Sequence, residues 1–454
     1  MTRPFKWCLT TLVTLGIAAC SQSPSAGARP DGGRQVILIS VDGFTAQDYL
    51  HTEDEGLDLP NITALKVNGC PANGMTGIFP TVTYPSHTAM ITGQPSAVHG
   101  VYTNTPLDPM GLQNGGWYYY ADRIKTPTLW QVLHDAGLKT AAISWPVTIG
   151  ADIDYLLPEY RPVRTEEDVA LLSALSTPGM FREMIEVDSI DRPMTDPWRI
   201  KAAIRVLDTR KPDLLALHIS DLDGAQHSFG PHSPEAHAAL EKIDQQIGEL
   251  RAAVDAEGRT DQTSWVIVSD HGFYPVDKTV NPMIALRDAG LITTNAAGRV
   301  TDWKVFMHNE GGSAFLEARD PADTASINKA IELMKQLAAN PANGIERLYT
   351  PEELKELDAM PTAFIGMEAA RGYGFGSDMQ GATVTNMPRP GGKHGYNPAI
   401  PELRPTMILS GAGVVPCDLR EGVRIVDVGP TVASLLGVRM TGVSGKDVNT
   451  PIAP

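Results

Sequence analysis

The chain has 454 residues and a formal net charge of -16, from 37 basic and 53 acidic residues. With no basic run anywhere, it lacks the electrostatic footprint of a protein that docks stably on nucleic acid, which leaves nucleic acid only as a substrate. An apolar content of 42%, with 42 glycines and 35 prolines, fits a soluble globular body rich in loops, long enough for one large domain or two to three ordinary ones.

Residues 1–19 read as an export signal. Arg3 and Lys6 give a basic start, "WCLTTLVTLGIAA" is an apolar stretch too short for a stable membrane span, and small residues precede Cys20. The stretch "IAAC" resembles the lipobox of bacterial lipoproteins, which implies that Cys20 is lipidated and becomes the first mature residue. An ordinary secretory signal cut near the same place is the alternative. Ser21 after Cys20, rather than aspartate, implies the periplasmic side of a bacterial outer membrane. Residues 20–34 then form a flexible Ser/Pro/Gly tether with no capacity to bury a core. Cys8 leaves with the signal, and Cys70 and Cys417 remain as either a disulfide or two buried thiols.

From residue 35 to 454 short apolar strands alternate with helical stretches, the pattern of an α/β domain with a mostly parallel central sheet between two helical layers. "RQVILISVDG" is a buried strand ending at Asp42 and Gly43. "TPTLWQVLHDAGLKTAAISW" reads as helix, glycine stop and strand; "DPWRIKAAIRVLDTRKPDLLALHISDLDG" and "SPEAHAALEKIDQQIGELRAAVDAEGRTDQTSWVIVSDHG" repeat that order. Ser233-Pro234-Glu235 is a strong helix start. The stretch from about 300 to 390 is less regular and reads as a smaller subdomain, and "VRIVDVGPTVASLLGV" as a closing helix on the main body.

Each strand runs into an acidic residue or a histidine, and ligands of open α/β sheets bind beyond the carboxyl ends of the strands. Asp42, Asp223, Asp270 and His271 would therefore gather at one rim, and His227 in "DLDGAQHSFG" and His394 in "GGKHGYNP" join them as candidates. Carboxylates and imidazoles together suit a borderline-soft divalent metal such as Zn²⁺. Asp223 and His227 share an ion only if a helical turn or tight loop brings them together, and Asp270 and His271 only if the strand ends there, which Gly272 permits. Taken singly, an Asp-Gly is ordinarily a turn and a strand-end histidine a structural residue.

In chain order, with "FPTVTYPSHTAMITG" between the first and second of these, the set resembles the nucleotide pyrophosphatase/phosphodiesterase branch of the alkaline phosphatase superfamily, from about residue 35 onward. The resemblance implies an alkaline phosphatase-like fold and two Zn²⁺ per chain. One ion would lie on Asp42, Asp270, His271 and the Thr83 oxygen, the other on Asp223, His227 and His394. It implies Thr83 as nucleophile, rather than Thr81, Ser86 or Thr88, and Asn104 as donor to a phosphate oxygen. It also places Tyr84 and, where several members carry a tyrosine, His218 on the two sides of a nucleobase. Read without it, Thr83 is equally a cap for a helix starting at Pro85. His87 and His99 read as structural.

The implied activity is metal-dependent hydrolysis of phosphodiester or pyrophosphate bonds through a phosphothreonine intermediate, on a small-molecule, nucleotide-like substrate. A phosphomonoesterase or phosphonate hydrolase on the same scaffold is the nearest rival; it would need a cation such as Lys393 or Arg161 at the phosphate, and "AAISWPVTIGADIDY" carries no basic pair. A non-catalytic envelope lipoprotein would show a lost ligand, and none is lost. The leaving group and oligomeric state stay open.

Overall fold

The structure is a computed structural model that describes residues 33–113, 116–160, 165–187 and 194–451, with side chains 185–187 left out. The signal, Cys20, all of the tether but Gly33 and Arg34, and Arg161 lie outside the described residues.

The central sheet has seven strands: β1 (Gln35–Val41), β2 (Gly69–Pro71), β3 (Thr140–Ile143), β4 (Tyr155–Leu157), β5 (Leu214–Ile219), β6 (Thr263–Val268) and β7 (Met407–Gly411), in spatial order β2-β7-β6-β1-β5-β3-β4. Neighbours pair in parallel except β7, which runs antiparallel to both β2 and β6. β1 is buried at every position, as its unbroken Val/Ile/Leu run predicts for a parallel strand covered on both faces.

Alternate side chains of β1 feed two cores. Ile37, Ile39 and Val41 pack into one layer with helices α1 (Pro60–Val67), α4 (Asp196–Arg210) and α6 (Pro234–Ala256). Val36 and Leu38 pack into the other with α2 (Thr83–Thr92), α3 (Leu129–Asp135) and α7 (Val428–Leu435). The remaining labelled helix, α5, spans Asp221–Phe229. The expected helix start holds: Ser233 Oγ accepts the Ala236 amide at 3.2 Å, with Pro234 in the first turn of α6. Cys70 in β2 and Cys417 beyond β7 form a disulfide, with Cα atoms 4.5 Å apart.

The chain between β6 and β7 builds a second body with its own core. A four-stranded antiparallel sheet (305–309, 313–318, 366–369 and 345–349, in order 305–309, 313–318, 366–369, 345–349) carries the helix Thr324–Ala338. Beside it, strand Tyr274–Val280 pairs with Gly372–Phe375 and Val384–Lys393. The inserted body thus starts at Tyr274, earlier than the irregular stretch in the sequence suggests. Its first strand leaves directly from the "SDHG" turn.

Candidate active site

Strand register sets the rim. Ser40 of β1 lies opposite His218 of β5 and Val268 of β6, so the three strands end level. Asp42 follows β1 with a side chain 5% exposed. β6 ends at Val268, and Asp270 and His271 occupy the turn beyond it, both fully buried. That turn is tight because a Cβ at Gly272 would meet the Leu403 carbonyl oxygen and Thr45 Cγ2, each at 2.8 Å. In α5 one helical turn separates Asp223 from His227, and Asp223 Oδ1 lies 3.4 Å from His227 Nε2. His394 comes from the inserted body, just past strand Val384–Lys393. Side chains at Gly391 and Gly392 would block that approach, since each Cβ would stand 2.5–2.6 Å from a carbonyl oxygen of α5.

His271 Nε2 is the point of convergence: Asp42 Oδ1 and Asp270 Oδ2 lie at 3.3 Å and Thr83 Oγ1 at 3.4 Å. The His271 and His394 rings stack with centroids 3.7 Å apart, and Phe273 meets His227, His271 and His394 edge-on. His227 Nδ1 donates to the Gly392 carbonyl and His394 Nδ1 to the Thr81 carbonyl, both at 3.1 Å. Each ring thereby keeps its Nε2 lone pair for a ligand, the arrangement that second partners impose on metal-binding histidines.

The electrostatics call for a cation. Asp270 Oδ1 accepts the amides of Gly43 and His271, but Asp270 Oδ2 and Asp42 Oδ1 are buried and accept no hydrogen bond. Burial first, and then the charge of Asp270, pushes the Asp42 carboxyl well above the usual carboxylate range. The same causes push Asp223 up to about 8, against the opposing charge of Lys393. Burial also brings His227 down to about 4 and holds His271 and His394 well below the usual imidazole range. Buried carboxylates crowded on neutral imidazoles are costly unless a metal draws them together. The ligand atoms of Asp223, His227 and His394 all lie within 4.8 Å of one another, as do those of Asp42, Asp223 and His271. These mixed nitrogen and oxygen donors fit Zn²⁺.

Thr83 does not cap its helix. It is the first residue of α2; extended Val82 precedes it, and no side chain caps this end. The helix begins two residues earlier than Pro85 suggests, because Val82 can take the extended cap geometry and Pro85 fits within the first turn. The Thr83 hydroxyl is consequently free of capping duty and faces His271 at the positive end of α2. The other hydroxyls of the segment are otherwise placed: Thr81 Oγ1 donates to the Tyr396 carbonyl (2.9 Å) and Thr88 Oγ1 to the Tyr84 carbonyl (2.7 Å), while Ser86 Oγ is buried within α2. Asn104 Oδ1 accepts the Tyr84 amide at 2.8 Å, which holds its side chain beside the same first turn.

The Type I phosphodiesterase / nucleotide pyrophosphatase family matches residues 36–397. The chain belongs to this family. Human ectonucleotide pyrophosphatase/phosphodiesterase family member 7 is 26% identical over 60% of this chain and 56% of its own length. The venom phosphodiesterase of Naja atra is 27% identical over 55% of this chain and 28% of its own length. The chain thus spans about half or less of the curated relatives it matches. The fold is that of the solved human ectonucleotide pyrophosphatase/phosphodiesterase 5, with a TM-score of 0.65 and 19% identity, covering 91% of this chain and 97% of that one. An inactive form of the murine ectonucleotide pyrophosphatase/phosphodiesterase 5 in complex with AMP is similar at a TM-score of 0.63 and 20% identity, covering 91% of this chain and 97% of that one.

Two residues of this phosphodiesterase-family chain differ from the sequence reading. His218 is 1% exposed and cannot stack on a ligand. It stands on the sheet, joining Asp42 Oδ2 (3.0 Å from Nε2) to the Ser144 carbonyl (3.1 Å from Nδ1), and so positions a rim carboxylate. Tyr84 is also 1% exposed, its ring packed against Trp117 and Tyr119 at centroid distances of 5.1 and 6.2 Å. It has no open face for a base. Sequence reasoning missed Phe273, whose signal was the aromatic directly after "SDHG", and Trp117, in the "WYYY" run, which is 39% exposed. His87 is structural as expected, held between the Thr83 carbonyl and Ser40 Oγ, both at 2.8 Å.

Proposed function

We propose that the chain is a phosphoric diester hydrolase, cleaving phosphodiester or pyrophosphate bonds of a nucleotide-like small molecule by way of a phosphothreonine at Thr83. The observation that carries this reading is the Thr83 hydroxyl: uncapped, at a helix N-terminus and 3.4 Å from His271 Nε2, beside Asp42 and Asp270, each with one buried carboxylate oxygen that accepts no hydrogen bond. Asp42, Asp270 and His271 with Thr83 would hold one Zn²⁺, and Asp223, His227 and His394 a second. Bound there, the ions would supply positive charge to phosphoryl oxygens and lower the pKa of a hydroxyl or water.

The residues of the chain do the rest. Thr83 Oγ1 gives its proton to solvent and bonds to phosphorus as the bond to the leaving oxygen breaks, that oxygen being free to take a proton from solvent. Water then attacks phosphorus, loses a proton to solvent, and the Oγ1–P bond breaks with Oγ1 reprotonated. Asn104, its Oδ1 fixed by the Tyr84 amide, has an Nδ2 without a protein partner among the described residues and can donate to a non-bridging oxygen. The α2 N-terminus adds its dipole to the same site. AMP in the related murine structure supports a nucleotide as the occupant. With Tyr84 and His218 buried, the aromatic face offered to a base is that of Trp117, next to Tyr118, whose amide donates to the Asn104 carbonyl at 3.1 Å.

A panel of a nitrophenyl nucleotide diester, bis-nitrophenyl phosphate and nitrophenyl phosphate tests this. We expect kcat/KM to favour the nucleotide diester over the monoester by at least about a hundredfold, with Trp117→Ala lowering that preference. A monoester dianion needs an added cation. Lys393, whose charge acts on Asp223 and His227, is the observation favouring the second reading, a phosphomonoesterase. Equal or better monoester turnover, lost in Lys393→Ala, would install it.

We further propose export to a bacterial cell envelope as a lipoprotein anchored through Cys20. Among the described residues no helix is long and apolar enough to cross a membrane. Unchanged acyl labelling in Cys20→Ala would refute the anchor.

A further inference from the structure

Outside the rim, Glu55, His232 and His237 bring their ligand atoms within 4.8 Å of one another. They come from separate places in the chain: Glu55 ends the short helix Thr52–Glu55, His232 lies in the connection between α5 and α6, and His237 sits in the first turn of α6. His232 Nδ1 lies 3.2 Å from Glu55 Oε2 and 3.7 Å from Asp48 Oδ1, and His237 Nε2 lies 3.9 Å from Glu55 Oε2. Zinc bonds of about 2.0–2.1 Å in a tetrahedron place neighbouring ligand atoms roughly 3.3 Å apart, so Glu55, His232 and His237 need close only slightly to hold one ion.

Three independent features support an ion rather than a simple ion pair. His237 Nε2 is buried and has no hydrogen-bond partner, although it points at Glu55. His232 adopts a left-handed backbone, φ 59°, which costs energy in a residue with a Cβ and directs its ring at the two carboxylates. Asp48 uses Oδ2 for the Thr45 amide and hydroxyl, at 3.1 and 2.7 Å, and turns Oδ1 to His232. Among the described residues no lysine or arginine pairs with Asp48 or Glu55, and Glu53 and Asp54 add negative charge alongside.

We propose that Glu55, His232 and His237 form a structural zinc site, with Asp48 beside His232 as the fourth side chain, distinct from the phosphoryl-transfer rim. It ties the segment that follows Asp42 to the connection that follows the Asp223–His227 helix, and so clamps together two of the elements that carry rim ligands. Two imidazoles with two carboxylates suit zinc rather than calcium or magnesium, which favour all-oxygen shells.

The test is metal analysis and thermal unfolding of the full chain, wild type beside His237→Ala and Glu55→Gln. Each variant should hold one zinc equivalent less than wild type, whatever the rim itself binds, and should lose part of the zinc-induced rise in Tm. Turnover of the nitrophenyl nucleotide at 25 °C should stay within about twofold. Should His237→Ala fail to fold, the near-isosteric Glu55→Gln decides. Equal zinc content and an equal zinc-induced Tm shift in wild type and Glu55→Gln would overturn the proposal and leave an ion-pair network only. The same Tm shift with calcium would overturn the assignment to zinc. A rim that binds no zinc would defeat the proposed function while leaving this one-equivalent difference in place.

Discussion

The two halves of the rim differ in how they are held and how far they are closed. Asp270 and His271 are sealed and Asp42 nearly so, all three on strand ends of the central sheet, whereas the side chains of Asp223 and His227 are 23% and 35% exposed. The open half rests on one helix and on an inserted body that reaches it through Gly391 and Gly392. The difference teaches where precision is needed. In the reaction proposed above, the attacking oxygen gains from fixed neighbours that exclude water, while the leaving group and the incoming water need access.

The largest expected effect is at the closed half. Thr83→Ala should lower kcat by about a thousandfold or more while zinc content stays near wild type, and Thr83→Ser should recover part of the rate because the hydroxyl survives. Steady-state kinetics with metal analysis checks both. Wild-type turnover in Thr83→Ala would move the nucleophile elsewhere and dissolve the contrast.

Next comes the open half. His394→Ala should lose one zinc equivalent preferentially and at least about a hundredfold in kcat/KM, and prolonged chelation of wild type should remove activity that zinc restores. Uniform loss of all rim zinc in His394→Ala would mean that the halves act as one site. Proton release sharpens the same point. Without a cation Asp223 titrates at about 8 and is largely protonated at neutral pH, yet it must be a carboxylate to bind metal. Zinc binding should therefore release protons near neutrality, and apparent affinity should rise as pH climbs toward that value. Calorimetry in buffers of different ionisation heat measures the number released.

His218→Ala tests positioning against stacking. Because the imidazole holds Asp42, the variant should lose about ten- to a hundredfold in zinc affinity with the diester-to-monoester ratio little changed. A collapse of that ratio at wild-type affinity would restore the base-contact role. The smallest effects belong to the spare hydroxyls. Thr88→Ala should be near neutral, since its hydroxyl only returns to a carbonyl of its own helix. Thr81→Ala should cost a few-fold in kcat/KM, because Thr81 Oγ1 accepts the Gly395 amide beside His394.

Much of this was legible in the chain. The apolar run of β1, the repeated helix-to-strand order and the Ser233-Pro234 start depend on local periodicity and capping, and the structure keeps them. The residues gathered at the rim were legible too, because a strand that ends in "VDG" or "SDHG" delivers its polar residues to the sheet edge whatever surrounds it. The inserted body was placed too far along the chain, since its first strand, Tyr274–Val280, carries Pro275, Asp277 and Lys278 and shows no clean apolar run. The helix of Thr83 was also misjudged. Proline marks a helix start only to within a turn, and the extended Val82 decided the boundary.

By itself, then, the sequence determined the sheet, its two helical faces and the kinds of side chain at its rim, all consequences of short-range chemistry. Only the tertiary structure decided which way Tyr84 and His218 face. An aromatic in the first turn of a helix can look outward or inward, and the direction of Tyr84 is set by Trp117 and Tyr119, over 30 residues away in the chain. His218 was claimed by Asp42, 176 residues distant, because level strand ends bring the two within a hydrogen bond. The meeting of Glu55 with His232 and His237 is of the same kind. No local pattern encodes it, since contacts between remote segments exist only once the core has fixed the distance between the elements that carry them.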